Sequence, residues 1–377
     1  MKKLSFYSFV ALLMGVLFFT ACENSDYNGP GLEDENSILP DQLTVDIPAA
    51  LMEDVSSLKG APVVDTLKGR EIYGHLRFFI HTGDHAGRIV RHIIYGIRRY
   101  NIDQVKTLTY ESEDDGRIKN LVVEEGPEFD GRTWEYGLTI TDAESEGEAD
   151  GGKGMQIFWN QNPKEGITII KPYNLDRTNE REMAQAMFRI DYSGAGELGY
   201  DRHMIVSIAD MPAIDPPLAP FAMDGMKMFV GKKGDVVDVY GNSDHPNAYF
   251  FTNNTGFNWA FVAAGYESKN IGVAEVGLPP SMLDEDDRKV LLKEYSIKNV
   301  LTEEINQWFL DEIGLRPDSS DLAMYLLNAD APGYFANQGF VQGGVSPGEE
   351  YDELVDQIDK LSPFNPKSVN ELQIAFN

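Results

Sequence analysis

The chain has 377 residues, 61 acidic against 32 basic, and a formal net charge of −29. A field of that sign repels nucleic acid and anionic lipid surfaces, and leaves cations and basic partners as the favoured company. Apolar residues at 42% and aromatic residues at 11% supply a real core and exclude a disordered chain, and the single cysteine excludes an intrachain disulfide.

Lys2 and Lys3 open the chain, an unbroken apolar run follows over 9–19, and Thr20, Ala21 and Cys22 come next. A basic start, an apolar stretch and a small-residue cleavage site make a secretory signal over 1–21. The run is too short for a spanning helix, which needs about 20 apolar residues. Phe19-Thr20-Ala21-Cys22 resembles the lipobox of bacterial lipoproteins, with Phe19 where Leu is favoured. The resemblance implies cleavage before Cys22 and acylation of it, with the lipid bilayer as a partner. One acyl chain holds a protein weakly and several hold it firmly. Residues 22–40 are acidic and broken by Gly29, Pro30 and Gly31, the composition of a flexible tether. Acids this close to Cys22 resemble the surface-export signal of Bacteroidota lipoproteins. That implies a lipid-anchored place in the bacterial cell envelope, on the outer membrane and facing outward.

A first folded part is expected over 41–278. Residues 38–70 read as an entry segment with a short helix, started by Asp46-Ile47-Pro48. The clearest helix runs from about Asp84 to Tyr100. Ala86, Ile89, Val90, Ile93, Ile97 and Tyr100 recur on one face at spacings of three and four, with Arg88, Arg91, Arg98 and Arg99 mostly opposite. Thr82 or Asp84 is placed to cap it. From about 104 to 278 the period changes to two. Trp134, Tyr136, Leu138 and Ile140 alternate with polar residues, as do Met155, Ile157 and Trp159, then Phe188, Ile190 and Tyr192, then Met204, Val206 and Ile208. Turn chemistry bounds the runs, as at Asp114-Asp115-Gly116, Asn162-Pro163 and Lys233-Gly234-Asp235. The fold class is therefore α+β: a long antiparallel meander of about ten strands, strongly curved or an open barrel, with an N-terminal amphipathic helix and C-terminal helices.

The part 279–377 reads as helical and loop-rich, packed on the same domain. Ser281 is expected to cap a helix over 284–296 and Thr302 another over 303–313. Residues 315–345 read as a long Gly-rich loop. Ser346-Pro347-Gly348-Glu349 has the pattern of a capping box, opening a helix that buries Tyr351, Leu354, Val355, Ile358 and Leu361. Residues 372–376 read as an edge strand. This order of elements resembles the envelope lipoprotein carriers of the LolA/LolB type, in which a curved sheet wraps helices and holds acyl chains. The likeness is one of architecture and implies an apolar ligand.

Chemistry is expected at few places. His81, Asp84 and His85, with His92 seven residues on, have a spacing that can ligate a metal, though the Glu of zinc peptidases is missing. The same residues fit a capped helix start with partly exposed histidines. Arg88, Arg91, Arg98 and Arg99 form a basic stripe, suited to an anionic ligand or partner or to the protein's own carboxylates. Asp142, Glu144, Glu146, Glu148 and Asp150 alternate like the ligands of a calcium loop, but Lys153 stands where a bidentate Glu is needed. A solvated acidic hairpin is the plainer reading. No nucleophile elbow, phosphate loop or paired-Cys motif occurs, and no cofactor is expected. The expected function is non-enzymatic binding of an apolar or glycan ligand or of a partner protein. The alternatives are a structural subunit of an outer-membrane complex that uses 315–345 as its contact surface, and a metal-dependent hydrolase built on His81, Asp84 and His85.

Overall fold

The computed structural model describes residues 38–39, 43–52, 69–98, 104–178, 183–212, 222–248 and 256–377, with the side chains of 69–98 described as far as Tyr95. The signal segment, Cys22, nearly all of the tether and Arg99 lie outside the described residues, as do the side chains of Ile97 and Arg98. The protein is α+β, with a long antiparallel sheet of thirteen strands. The described chain divides into two compact units. One holds the residues up to Thr44, His85–Ala195 and Ile374–Asn377; the other holds Val45–Asp84 and Gly196–Gln373.

Helix α1 spans Gly69–Arg98, fifteen residues earlier than its pattern suggests at the N-terminal end. The apolar repeat does continue upstream, through Ile72, Tyr73, Leu76, Phe79 and Ile80, all buried. Gly83 and Gly87 lie within it. Their reason is closeness: a Cβ on Gly83 would stand 2.4 Å from Met228 Cε, and one on Gly87 would stand 2.9 Å from Thr44 Cγ2. Thr82 is consequently not a cap. Its hydroxyl donates to the Phe78 carbonyl one turn back, at 3.0 Å. The short helix expected near Pro48 is a single 3-10 turn, Ala49–Leu51.

The first unit carries β1 (Lys106–Glu111), β2 (Ile118–Glu125), a two-stranded hairpin of β3 (Glu128–Phe129) and β4 (Arg132–Thr133), then β5 (Tyr136–Asp142), β6 (Lys153–Asn160), β7 (Glu165–Ile170) and β8 (Met187–Ser193), with the short helix α2 (Pro172–Leu175) between β7 and β8. β1, β2, β5, β6, β7 and β8 pair in that order as antiparallel neighbours. Register aligns Leu121 with Ile140 and Val123 with Leu138, and then Ile140 with Met155 and Leu138 with Ile157. These residues make an apolar patch on one face, bordered by Thr168 opposite Ile157 and by Lys119 opposite Asp142. On the other face Trp134, Phe158, Ile167, Ile169 and Met187 form a second apolar cluster, over which Phe129, Ile374 and Phe376 pack. Residues 372–376 do not form the edge strand expected of them; they lie in extended coil with Ile374 and Phe376 on that cluster.

The second unit carries β9 (Arg202–Ala209), β10 (Gly225–Lys233), β11 (Val236–His245), β12 (Phe257–Tyr266) and β13 (Ile271–Gly277), one π-helical turn at Val290–Glu294, α3 (Ile297–Ile313), α4 (Ser319–Tyr325), β14 (Gly333–Ala336), β15 (Gly339–Gly343), α5 (Asp352–Ile358) and α6 (Pro366–Asn370). Its strands pair in sequence order. Every residue of β12 and β13 is buried, so both faces of this sheet are covered. On one face α1 brings Phe79 to 5.6 Å from the ring of Trp259, and Tyr73 to 5.9 Å from Phe335. On the other, Leu291, Leu292, Tyr351, Leu354, Ile358 and Leu361 pack on Ala260, Val262, Ala264 and Val273. Small residues on β12 let that helical layer approach closely. Arg77, buried within α1, donates from Nε to the Ala50 carbonyl at 2.9 Å and also bonds Met52 O, closing the 3-10 turn.

Several C-terminal expectations change. The helix over 284–296 shrinks to 288–294, α-helical at its first two residues and π-helical over Val290–Glu294, and Ser281 is buried. Its acids, Asp284–Asp287, read as a helix start, but Asp284 accepts from Asn365 and Lys367 instead. α3 begins six residues before the expected 303, capped by Ser296, whose side chain accepts from the Asn299 amide; Thr302 bonds back to Lys298 O. The box at Ser346 does not form: Gly348 precedes a 3-10 turn without a side-chain cap, although Tyr351, Leu354, Ile358 and Leu361 are buried as expected. The supposed loop 315–345 holds α4 and the β14–β15 hairpin. Among the described residues β1 pairs only with β2, and β15 only with β14. The sheet has two open edges and is not a closed barrel. No helix among the described residues is long and apolar enough to cross a membrane.

The tightest backbone approach is at Gly277, where a Cβ would stand 1.8 Å from the Leu291 carbonyl oxygen. Gly277→Ala is expected to cost about 3 kcal/mol or more, since backbone must move. Gly83→Ala should cost less, because the obstructing atom is the end of a flexible Met. Urea denaturation of the two variants checks the order; equal costs would contradict it.

Candidate interaction surface

His81, Asp84 and His85 all fall inside α1, at positions i, i+3 and i+4. Asp84 is buried, and the two histidines are half-buried. Among the described residues no group of three or more His, Cys, Asp or Glu side chains is placed to hold a metal ion. The helical spacing is therefore formed, but the three side chains are not assembled into a ligand group. Of the arginine stripe, Arg88 and Arg91 are exposed. Arg91 Nη2 donates to Thr44 Oγ1 at 2.6 Å, so part of this stripe ties the helix to its own entry segment. Arg98 (its side chain) and Arg99 lie outside the described residues.

The acidic segment 142–150 leads through the β5–β6 hairpin connection, with Glu144, Glu146 and Glu148 exposed as expected, but its two end carboxylates, buried Asp142 and half-buried Asp150, are held by the protein's own cations. Asp142, buried at the end of β5, takes Arg117 Nε at 2.7 Å, Lys119 Nζ at 3.3 Å and Arg177 Nε at 3.5 Å. Lys119 is itself 1% exposed and also holds Asp115 at 2.9 Å. Asp150 takes Lys171 at 2.5 Å, and Glu148 takes Arg177 at 3.0 Å. Burial pushes the Asp142 carboxyl up, but the hydrogen bond from Arg117 and the Lys119 charge outweigh it and hold it below the ordinary range. The protein's own cations therefore fill the role that an ion would take. This sits in the first unit and fixes the ends of β2 and β5.

The second unit has a different feature. α3 buries Ile297, Val300, Leu301, Glu304 and Ile305, all in its N-terminal two-thirds, and α4 buries none of its residues. Beyond Ile305 the apolar residues come out to solvent. Leu310 is 37% exposed, Ile313 53%, Leu315 69%, Met324 56% and Leu327 64%. Gly314, at φ 76°, ends α3 in the left-handed conformation and turns the chain toward α4. Asp318 caps α4 by accepting from the amides of Ser320 and Asp321. Trp308 and Phe309, half-buried, meet edge to face at 5.2 Å near the base of this hairpin. Single exposed apolar residues are ordinary, but a concentration of them marks an interaction surface. The exposed charges among them are mostly acidic: Glu303, Asp311, Glu312, Asp318 and Asp321 against Arg316. The sequence offers 315–345 as a contact surface but as loop, and Ile313 reads as the core face of a helix, so the helical hairpin and the part that α3 plays in it are not legible there.

Asp142→Asn leaves buried Lys119 without one of its two carboxylates and should destabilise the fold by about 3 kcal/mol, the cost of breaking a buried pair from one side. Because the Asp142 carboxyl is held low, this stabilisation is complete above the ordinary carboxylate range and fades as pH falls through its folded value. Wild type and variant should therefore converge in stability toward low pH; a constant gap from neutral pH to acid would contradict the pairing. Comparison with known protein families, with curated proteins and with solved structures finds no match for this chain.

Proposed function

We propose that this protein is a lipid-anchored, non-enzymatic component of the bacterial envelope that binds a partner protein through the α3–α4 hairpin. The observation that carries the reading is the run of exposed Leu310, Ile313, Leu315, Met324 and Leu327 along the α3–α4 hairpin, in a unit whose strands β12 and β13 are wholly buried. The partner suited to it has an apolar ridge flanked by Lys and Arg. The acidic charges around the hairpin favour such a surface and oppose both a second copy of this chain and an anionic lipid surface. The covered faces of the second unit's sheet support partner binding over a ligand held in that sheet. The lipobox at Phe19–Cys22 supports the anchor.

The test uses the full chain expressed in its native envelope, with a photo-cross-linking residue at position 313 or 327. One protein should cross-link at both positions, and the Ile313→Glu/Leu327→Glu double variant should weaken its binding at least tenfold, about 1.4 kcal/mol. The substitutions are at exposed sites and should shift stability by roughly 0.5 kcal/mol or less. Only self-cross-links, or a binding constant unmoved by the double variant, would overturn the partner reading. Cys22→Ser should move the protein from the membrane to the soluble fraction; unchanged membrane binding would overturn the anchor.

A further inference from the structure

The buried acids of this protein fall into two groups. Asp115 and Asp142 have Lys or Arg partners, and so does Glu275, held by Arg288 at 2.5 Å and Lys293 at 2.6 Å. Asp244, at the end of β11, does not. It is wholly buried, and its Oδ2 takes a hydrogen bond from Asn370 Nδ2 at 3.0 Å. Asp210 and Asp224 add to the same negative field. Among the described residues none of these three carboxylates makes an ion pair. Lys227, across from Asn242 on β10, lays its ammonium over the ring of Phe364 at 4.7 Å.

Neutral oxygens surround Asp244. Asn258 lies directly opposite it on β12, and Asn242 precedes it by two residues on the same face of β11. Both asparagines are fully buried. Among the described residues neither amide has a hydrogen-bond partner for its oxygen or its nitrogen, and Asp244 Oδ1 and the Ser281 hydroxyl have none either. Ser281 and Asn258 nevertheless lie near enough to the carboxylate to offset part of the upward push of burial on it. Buried polar groups without partners are rare and costly, roughly 1–3 kcal/mol each. Several of them here share one corner with an uncompensated carboxylate.

We propose that this corner binds a hard, oxygen-preferring cation, calcium, with Asp244 Oδ1, the amide oxygens of Asn258 and Asn242 and the Ser281 hydroxyl as ligands, and with Asp224 supplying outer negative charge. Carboxylate, amide and hydroxyl oxygens in an irregular set suit calcium better than magnesium, which demands near-ideal octahedral geometry. With one inner carboxylate the affinity falls at the weak end of the calcium scale, on the order of 10⁻⁴–10⁻³ M. The site is separate from the hairpin and independent of the partner proposal.

The test is calcium titration of the chelator-treated full chain in detergent, read by calorimetry and by the midpoint of thermal unfolding. Wild type should bind one calcium with a rise in midpoint, and magnesium should bind more weakly. Asp244→Asn should lose at least tenfold in affinity, and Asp224→Asn several-fold; since Asp224 is only half-buried, the second variant decides the matter should the first fail to fold. Absence of calcium binding by wild type up to about 10 mM, an order of magnitude beyond the weak end of the scale, would mean that water alone fills the corner and would overturn the proposal. Binding that is unchanged in Asp224→Asn, and in Asp244→Asn where it folds, would place the ion elsewhere on the acidic surface and would overturn it equally.

Discussion

A sheet whose strands are apolar on both faces has to be covered on both, and the second unit is organised by that constraint. β12 shows it most directly, with ten consecutive buried residues. α1 supplies one cover, held close by Gly83 against the methionines of β10. The π turn, α5 and the residues after it supply the other, with Tyr351, Leu354 and Ile358 set on small residues of β12. Once these covers are in place, α3 has little left to pack against beyond Ile305. Its exposed end and α4 are therefore a surplus of apolar surface that the fold itself does not use.

Electrostatics divides the two units. In the first, carboxylates brought to the ends of β2 and β5 are matched to Arg117, Lys119, Lys171 and Arg177, and the ion pairs close a segment that has the composition of a metal loop. In the second, Glu275 is matched in the same way. Asp238 instead accepts from two neutral donors, Tyr200 at 2.8 Å and Gln357 at 2.6 Å, and burial holds its carboxyl above the ordinary range. Asp244 has still fewer partners. Asp238 and Asp244, six residues apart on β11, thus share one face of that strand.

The meander was legible because hairpins announce themselves: alternation in Leu138–Ile140, Met155–Trp159 and Met204–Ile208, with Gly, Asn and Asp between. What failed was whatever depended on distant packing. The helix reads as starting near Asp84 because Thr82 and Asp84 have cap chemistry, and nothing local shows that a strand and an entry segment press against Gly83 and Gly87. Tyr334 and Phe335 were lost in a glycine-rich stretch because β14 pairs with β13 across some sixty residues of intervening chain. Asp284–Asp287 imitated a helix start, while the partner that claims Asp284 is far along the chain, at Lys367. For the candidate surfaces the reason is the same: exposure at Ile313 or burial at Asn242 is decided by which neighbours arrive, and composition is silent on that.

The central claim is that the hairpin is left bare by the fold and is covered by another protein. Hydrogen–deuterium exchange of the full chain, compared between its native envelope and the purified detergent-solubilised state, tests it most directly. The account predicts that β11 and β12 exchange slowly in both, whereas amides of 310–327 exchange fast when purified and at least tenfold more slowly in the envelope. Equal exchange of 310–327 in the two states would contradict it.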